Sequence, residues 1–165
     1  MQFRILSFLV LSILFFQSAR CQHYDFAAGV RIGLSYGING KLFLKTNQAV
    51  QSRGAIEGIV SFRHKGIMGS LLYEYHFEVF DTEGMYLYCG GGMHAGMLNS
   101  DEVPWETDHT GKKPYAGLDG IIGLEYAFSD IPVSVGLDWK PGFNIISDFN
   151  LIIDDIALSV RITFG

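Results

Sequence analysis

Three groupings of side chains in this chain could do chemistry, and each points to a different kind. His94 and Asp119, with Ser100 between them in the sequence, are a base, an orienting acid and a hydroxyl, the parts of a nucleophilic site. No spacing motif ties them together, and the same residue types serve as polar filling of a protein interior. Asp101, Glu102, Glu106 and Asp108 gather around Trp105. Carboxylate oxygens crowded on one loop suit a hard divalent cation, but the order is not that of an EF-hand, and a solvated acidic loop is the competing reading. The third grouping is the largest. Arg31, Lys41, Lys45, Glu57, Arg63, Glu74, Glu78, Asp119, Glu125, Asp138, Lys140, Asp155 and Arg161 are each set among apolar residues, so they must either meet water or neutralise one another. Gly90-Gly91-Gly92 lacks both the Gly-x-Gly-x-x-Gly spacing and a following helical pattern, which removes it as a phosphate cradle and leaves relief of crowding in a strand. Cys89 falls on an apolar parity, as a small hydrophobe.

The elements that hold these residues have a period of two. At the end of the chain Ile156, Leu158, Val160, Ile162 and Phe164 alternate with Asp155, Ala157, Ser159, Arg161 and Thr163, so a pleated strand has an unbroken apolar face opposite a polar one. The same alternation predicts strands over 25–36, 67–80, 115–128 and 133–140, and a weaker form of it over 41–45, 55–63 and 85–97. Between them, 37–40 carries the Asn39-Gly40 hairpin signal, and 46–54, 64–66, 81–84, 98–114, 129–132 and 141–153 read as turns or loops. Eight strands result. Both ends of the chain then lie on one side, and the longest loops, 98–114 and 141–153, lie on the other, as in bacterial outer-membrane barrels.

Charge decides which parity faces where. An Arg or Lys pointed into lipid at the bilayer midplane costs roughly 2–4 kcal/mol, and one parity of every strand is almost free of charge. In a membrane the apolar parity therefore faces outward and the charged one lines the lumen. Eight strands enclose only enough room for side chains, so the inward ions are expected to pair in a closed network. From strand direction, Lys45, Glu57, Glu78, Glu125 and Arg161 form a layer near the chain ends. Arg63, His94, Asp119, Asp138, Lys140 and Asp155 form one near the opposite mouth, with Arg31 and Glu74 between.

Bulk properties agree. The 20 glycines and 14 % aromatic residues suit strands and tight turns better than helices. Residues 1–21 run from Arg4 through an apolar stretch to Ala19-Arg20-Cys21, the order of a secretory signal peptide. Cleavage is expected after Cys21, with acylation of Cys21 as the alternative, leaving one domain over 22–165. The formal charge of −5 then loses Arg4 and Arg20 and becomes −7, which excludes a basic nucleic-acid surface. Only Cys89 remains, so no intrachain disulfide can form. Beyond the leader, no segment offers about 18 unbroken apolar residues, so a membrane passage has to use strands.

Gly37-Ile-Asn-Gly-Lys-Leu-Phe-Leu, Ala55-Ile-Glu-Gly-Ile-Val-Ser-Phe-Arg, Leu72-Tyr-Glu-Tyr-His-Phe, Gly120-Ile-Ile-Gly-Leu-Glu-Tyr-Ala-Phe and Leu137-Asp-Trp-Lys-Pro together resemble the small outer-membrane β-barrel proteins common in Bacteroidetes, similar in shape to OmpX-like and OmpA-like barrels. The resemblance covers nearly the whole of 22–165. It implies an all-β, eight-stranded antiparallel up-and-down transmembrane barrel in a Gram-negative outer membrane, inserted by the barrel-assembly machinery, in contact with outer-membrane lipid and monomeric. It implies no cofactor and no catalytic residues, and hence a structural or surface-interaction role. Such chains usually end on the aromatic residue, whereas here Gly165 follows Phe164. Two readings of other classes stand beside it. One is a lipid-modifying enzyme at the outer mouth, using His94, Asp119 and Ser100; the other is a soluble, lipocalin-like ligand-binding barrel with the faces inverted.

Overall fold

Each period-two run pairs with its neighbour, and the last pairs with the first. The computed structural model describes residues 24–44, 52–63, 66–80, 82–99, 112–146, 150–153 and 155–165; the leader and the acidic stretch 101–108 lie outside them. The strands are β1 (Phe26–Gly33), β2 (Tyr36–Phe43), β3 (Ser52–Arg63), β4 (Gly66–Glu78), β5 (Met85–Asn99), β6 (Lys112–Ala127), β7 (Val133–Trp139), β8 (Gly142–Ile146), β9 (Asn150–Ile152) and β10 (Ile156–Phe164). β1 to β6 pair in sequence order, every pairing is antiparallel, and β10 returns to β1 with Phe26 opposite Phe164 and Gly33 opposite Ala157. β6 pairs with both β7 and β8, while β7 pairs with β10 and β8 with β9. β7–β8 and β9–β10 are thus two staves, each interrupted once. The result is a barrel of eight staves closed by the β10–β1 pairing, in which β9 alone among the described strands pairs on one side only.

The structure corrects several of the expected boundaries, β3 for one beginning at Ser52 rather than Ala55. The chain reverses at Leu34-Ser35, and Gly37 to Gly40 lie inside β2. Residues directly opposite each other on antiparallel strands share a face. A two-residue turn at Asn39-Gly40 would therefore have set Lys41 opposite Ile38 on the outer surface, whereas the observed register sets Lys41 opposite Ala27 and Arg31 opposite Gly37, all inward. Charge burial overrode the local turn signal. Most of 141–153 is strand. Pro141 has no N–H and interrupts the ladder, but its carbonyl still accepts from the Gly120 amide at 2.8 Å, and Gly142 pairs with Asp119. Pairing continues across the proline into β8, and β9 pairs back onto it. β6 also starts at Lys112, earlier than the alternation suggested.

Gly90 and Gly92 answer for the glycine triplet. A Cβ on Gly90 would lie 2.1 Å from the Tyr73 carbonyl oxygen, and one on Gly92 1.9 Å from that of Leu71. Both face the lumen where β4 and β5 approach too closely for any side chain, while Gly91 faces out.

The barrel is inside-out relative to a soluble one. Val30, Ile38, Leu71, Leu118, Leu137 and Leu158 are exposed on its wall, with Leu71 56 % accessible, while Arg31, Lys41, Glu57, Glu74, Glu125 and Arg161 are buried at 1 % or less. Outward aromatics occur toward both ends: Phe26 meets Phe164, Tyr73 meets Tyr75 and Tyr126 meets Phe128 toward the termini, and Tyr36 stacks on Phe62 toward the opposite mouth.

Candidate functional site

The inward parity assembles two ionic clusters stacked along the barrel. The lower cluster, toward the termini, is centred on Lys41 of β2. Its Nζ lies 2.9 Å from Glu74 Oε2, 3.3 Å from Glu57 Oε2 and 3.2 Å from Glu125 Oε2, and 4.1 Å above the Tyr88 ring. Arg161 of β10 donates from Nη2 to Glu57 Oε1 at 2.8 Å and from Nη1 to Glu125 Oε2 at 3.1 Å. Asn39 donates to Glu57 Oε1 at 2.6 Å, and the Tyr24 hydroxyl donates to Glu125. His76 Nε2 sits 3.0 Å from Glu74 Oε2, its ring stacked on Tyr88 and edge-on to Phe43. Below, Tyr24, Phe43 and Tyr86 close the floor with Ala27, Ala55 and Ala127.

The upper cluster is built around Arg31 of β1, which is paired with Asp138 and lies 3.2 Å from Asp155. Ser35 accepts from Arg31 at 3.0 Å and donates to Asp155 at 2.7 Å. Lys140 reaches Asp155 at 3.3 Å and Asp119 at 3.4 Å. His94 completes the chain, with Nδ1 2.8 Å from Asp119 and Nε2 2.8 Å from Asn144. Tyr88 links the two clusters, since its hydroxyl donates to Asp138 at 3.3 Å while its ring carries Lys41 and His76. Ile59, Leu72 and Ile121 pack with Tyr88 and fill the lumen beside it.

Of the sequence candidates, Arg31, Glu57, Glu74, Asp119, Glu125, Asp138, Lys140, Asp155 and Arg161 are all brought into these clusters. Glu78 is not: it is the last residue of β4, at the mouth, and its side chain is exposed because the inward face there already opens to water. Arg31 and Glu74, expected between the layers, belong to the upper and lower clusters respectively, because strand tilt carries Arg31 beside Asp138 and Glu74 beside Lys41. Lys45 and the side chain of Arg63 lie outside the described residues. So do Ser100 and the loop carboxylates Asp101, Glu102, Glu106 and Asp108. His94 and Asp119 do meet, but the ring's other nitrogen is taken by Asn144, so its two partners are an acid and an amide rather than a nucleophile.

Sequence reasoning passed over Tyr24, Tyr88, Asn144 and Ser35. Tyr88 shares the inward parity of His94 and was there to be read. Asn144 lay in what looked like loop, and Ser35 was set within the first strand. A concavity of about 860 Å³ occurs on the outer wall of β2 to β6, floored by Gly58, Gly69, Ala95 and Ala116 and walled by Ile38, Val60, Leu71 and Met93. Cys89 is a free thiol on that same outward parity, exposed opposite Tyr75 and Ile122.

No protein-family model matches the chain, and neither does any curated protein. Among solved structures it is similar to the crystal structure of the N-terminal β-barrel domain of Pseudomonas aeruginosa OprF, with a TM-score of 0.56 and 17 % identity over 84 % of this chain and 95 % of that one. At this identity the likeness is one of fold: both chains build an eight-stranded antiparallel barrel.

Proposed function

We propose that this chain is an integral outer-membrane barrel whose role is structural, holding its inter-strand connections at the cell surface, with no catalytic step of its own. The observation that carries the reading is the inversion of the two faces. Rows of Leu, Ile, Val, Phe and Tyr stand exposed on the wall, while two clusters of ions are sealed within it. In water the same wall would be a contiguous apolar surface far larger than a soluble monomer tolerates, and a lipocalin-type interior would be apolar and hollow rather than ionic and filled. A bilayer removes the first difficulty, because apolar side chains facing lipid and closed backbone pairing are what a spanning barrel requires. The likeness to the OprF barrel domain supports it, as does the leader read in residues 1–21. The proposed contacts are membrane lipid along the wall and the assembly machinery during insertion, with the barrel acting as a monomer.

Spin labels test this directly. Labels at Tyr73, Ile122 and Leu158 in reconstituted protein should be relaxed by oxygen and shielded from a water-soluble relaxant; the reverse pattern would favour the soluble barrel. The filled lumen carries a second expectation. Purified protein in planar bilayers should show no large, steady conductance, since Tyr88, Ile59, Leu72 and the ion clusters occupy the axis. Reproducible porin-like steps would contradict it.

A further inference from the structure

We propose that Glu57 and Glu74 share a single proton, making the lower cluster a buried proton-binding site built from two carboxyl groups on adjacent strands. The two carboxyl groups, on adjacent strands, lie against the same ammonium, with Lys41 Nζ 3.3 Å from Glu57 Oε2 and 2.9 Å from Glu74 Oε2, and two ionised carboxylates brought together there can only accept, so neither can satisfy the other. The cluster's unsatisfied atoms point the same way. Glu57 Oε1 takes Asn39 and Arg161, and Glu74 Oε2 takes Lys41 and His76. The oxygens left without a hydrogen-bond donor are Glu57 Oε2 and Glu74 Oε1. Lys41 Nζ is 3.3 Å from Glu57 Oε2, close enough for ion pairing but without hydrogen-bond geometry. One proton between the carboxyls satisfies both.

Charge balance requires it as well. Beside Glu74 are Lys41 from β2, Glu57 from β3 and His76 from β4 itself, and the cluster is completed by Tyr88 from β5 under Lys41 and His76, Glu125 from β6, Arg161 from β10, and Tyr24 ahead of β1 on Glu125. Among the described residues that is two cations against three carboxylates, all buried, and an uncompensated buried charge is strongly destabilising. His76 is a poor seat for the missing proton. Its Nε2 lies 3.5 Å from the Lys41 ammonium, so an imidazolium there would set two cations against each other in a space enclosed by Phe43 and Tyr88. A neutral ring donating from Nε2 to Glu74 leaves the proton to the carboxyl pair.

The consequence is that folding takes up a proton. In the unfolded chain both glutamates are ionised above about pH 5, so the native state binds one proton more and stability falls as pH rises, until the shared proton is lost. Two measurements on the full chain folded in detergent micelles test the site. Infrared spectra at pH 8 should contain the carbonyl stretch of a protonated carboxylic acid. The band should be absent from urea-unfolded protein and shifted by ¹³C-glutamate labelling, which separates it from the aspartates of the upper cluster. In urea titrations between pH 5.5 and 7.5, Glu74→Gln, whose amide supplies the donor permanently, should gain on the wild type by up to about tenfold in folding constant per pH unit, the slope of one proton. A wild-type spectrum lacking a glutamate-derived band at pH 8 would overturn the proposal, and so would parallel pH profiles for the two proteins. If Glu74→Gln does not fold, the wild-type band decides alone.

Discussion

Arg161→Ala should lower the free energy of unfolding by about 3–5 kcal/mol, the cost of leaving a buried charge without its partner. Arg161 is 1 % accessible and holds Glu57 and Glu125 through separate nitrogens at 2.8 and 3.1 Å. Those two carboxylates sit on β3 and β6, so the guanidinium ties the closing strand to opposite sides of the barrel. Truncation also opens a void beside Gly136, where a Cβ would lie only 3.1 Å from Arg161 Nη1. Glu78→Ala is the matched control: its side chain is exposed at the mouth, and surface changes of this kind fall within about 0.5 kcal/mol. Urea midpoints in detergent, read as the fraction with folded gel mobility, should separate the two variants with little change in slope. Coincident midpoints would show that Arg161 pairs with nothing of consequence, and the inward parity of β10 would have to be abandoned.

The parity of each strand was legible because it is written in residue type alone. Ile156 to Phe164 alternate without exception, and a register slip of one residue would turn Arg161 into lipid. What the sequence did not disclose are the places where a local signal and the global constraint disagree. Asn39-Gly40 is a strong hairpin pair, but a turn there would have carried Lys41 to the outer face, and burying one cation among three carboxylates outweighs the turn preference. Pro141 looks like a strand end, yet a proline removes only one donor. The alternation of Phe143 and Ile145 about the buried Asn144 resumes beyond it. Pairing partners were less legible still. Strand order gives the approximate height of each charge, but the tilt of the staves displaces heights between distant strands. That displacement is why Arg31 of β1 meets Asp138 of β7 and Glu74 of β4 meets Lys41 of β2.

The His94–Asp119 contact shows why a constellation is not yet a site. Both residues were picked out as a base and its orienting acid, and they do meet at 2.8 Å. Their surroundings also tie them into the wall of the barrel. Asp119 is also 3.4 Å from Lys140, and His94 spans from β5 to Asn144 on β8, so the pair stitches the interrupted seventh stave to the wall. A nucleophile would need a free ring nitrogen, and Asn144 occupies it.

Lys41→Met should cost at least as much as the loss of Arg161, at the upper end of about 3–5 kcal/mol, because a single ammonium contacts three carboxylates and is wholly inaccessible. Met keeps the unbranched stem and roughly its volume, so the packing against the Tyr88 ring is largely retained and the change isolates the charge. Without Lys41, Glu74 keeps His76 and Glu57 as its neighbours, and among the described residues the carboxylates that Arg161 pairs with are Glu57 and Glu125. Glu74 is then the one carboxyl group of the lower cluster with no cation beside it among the described residues. Adding Glu74→Gln takes one of three carboxyl groups away from a cluster left with a single cation, so the double variant should recover part of the loss, with a coupling of about 0.5–3 kcal/mol between the two positions as expected for residues in one network. Strict additivity of the two substitutions in urea midpoints would show that Lys41 and Glu74 do not sense each other, and the lower cluster would then be a set of neighbours rather than a network that stabilises the closed barrel.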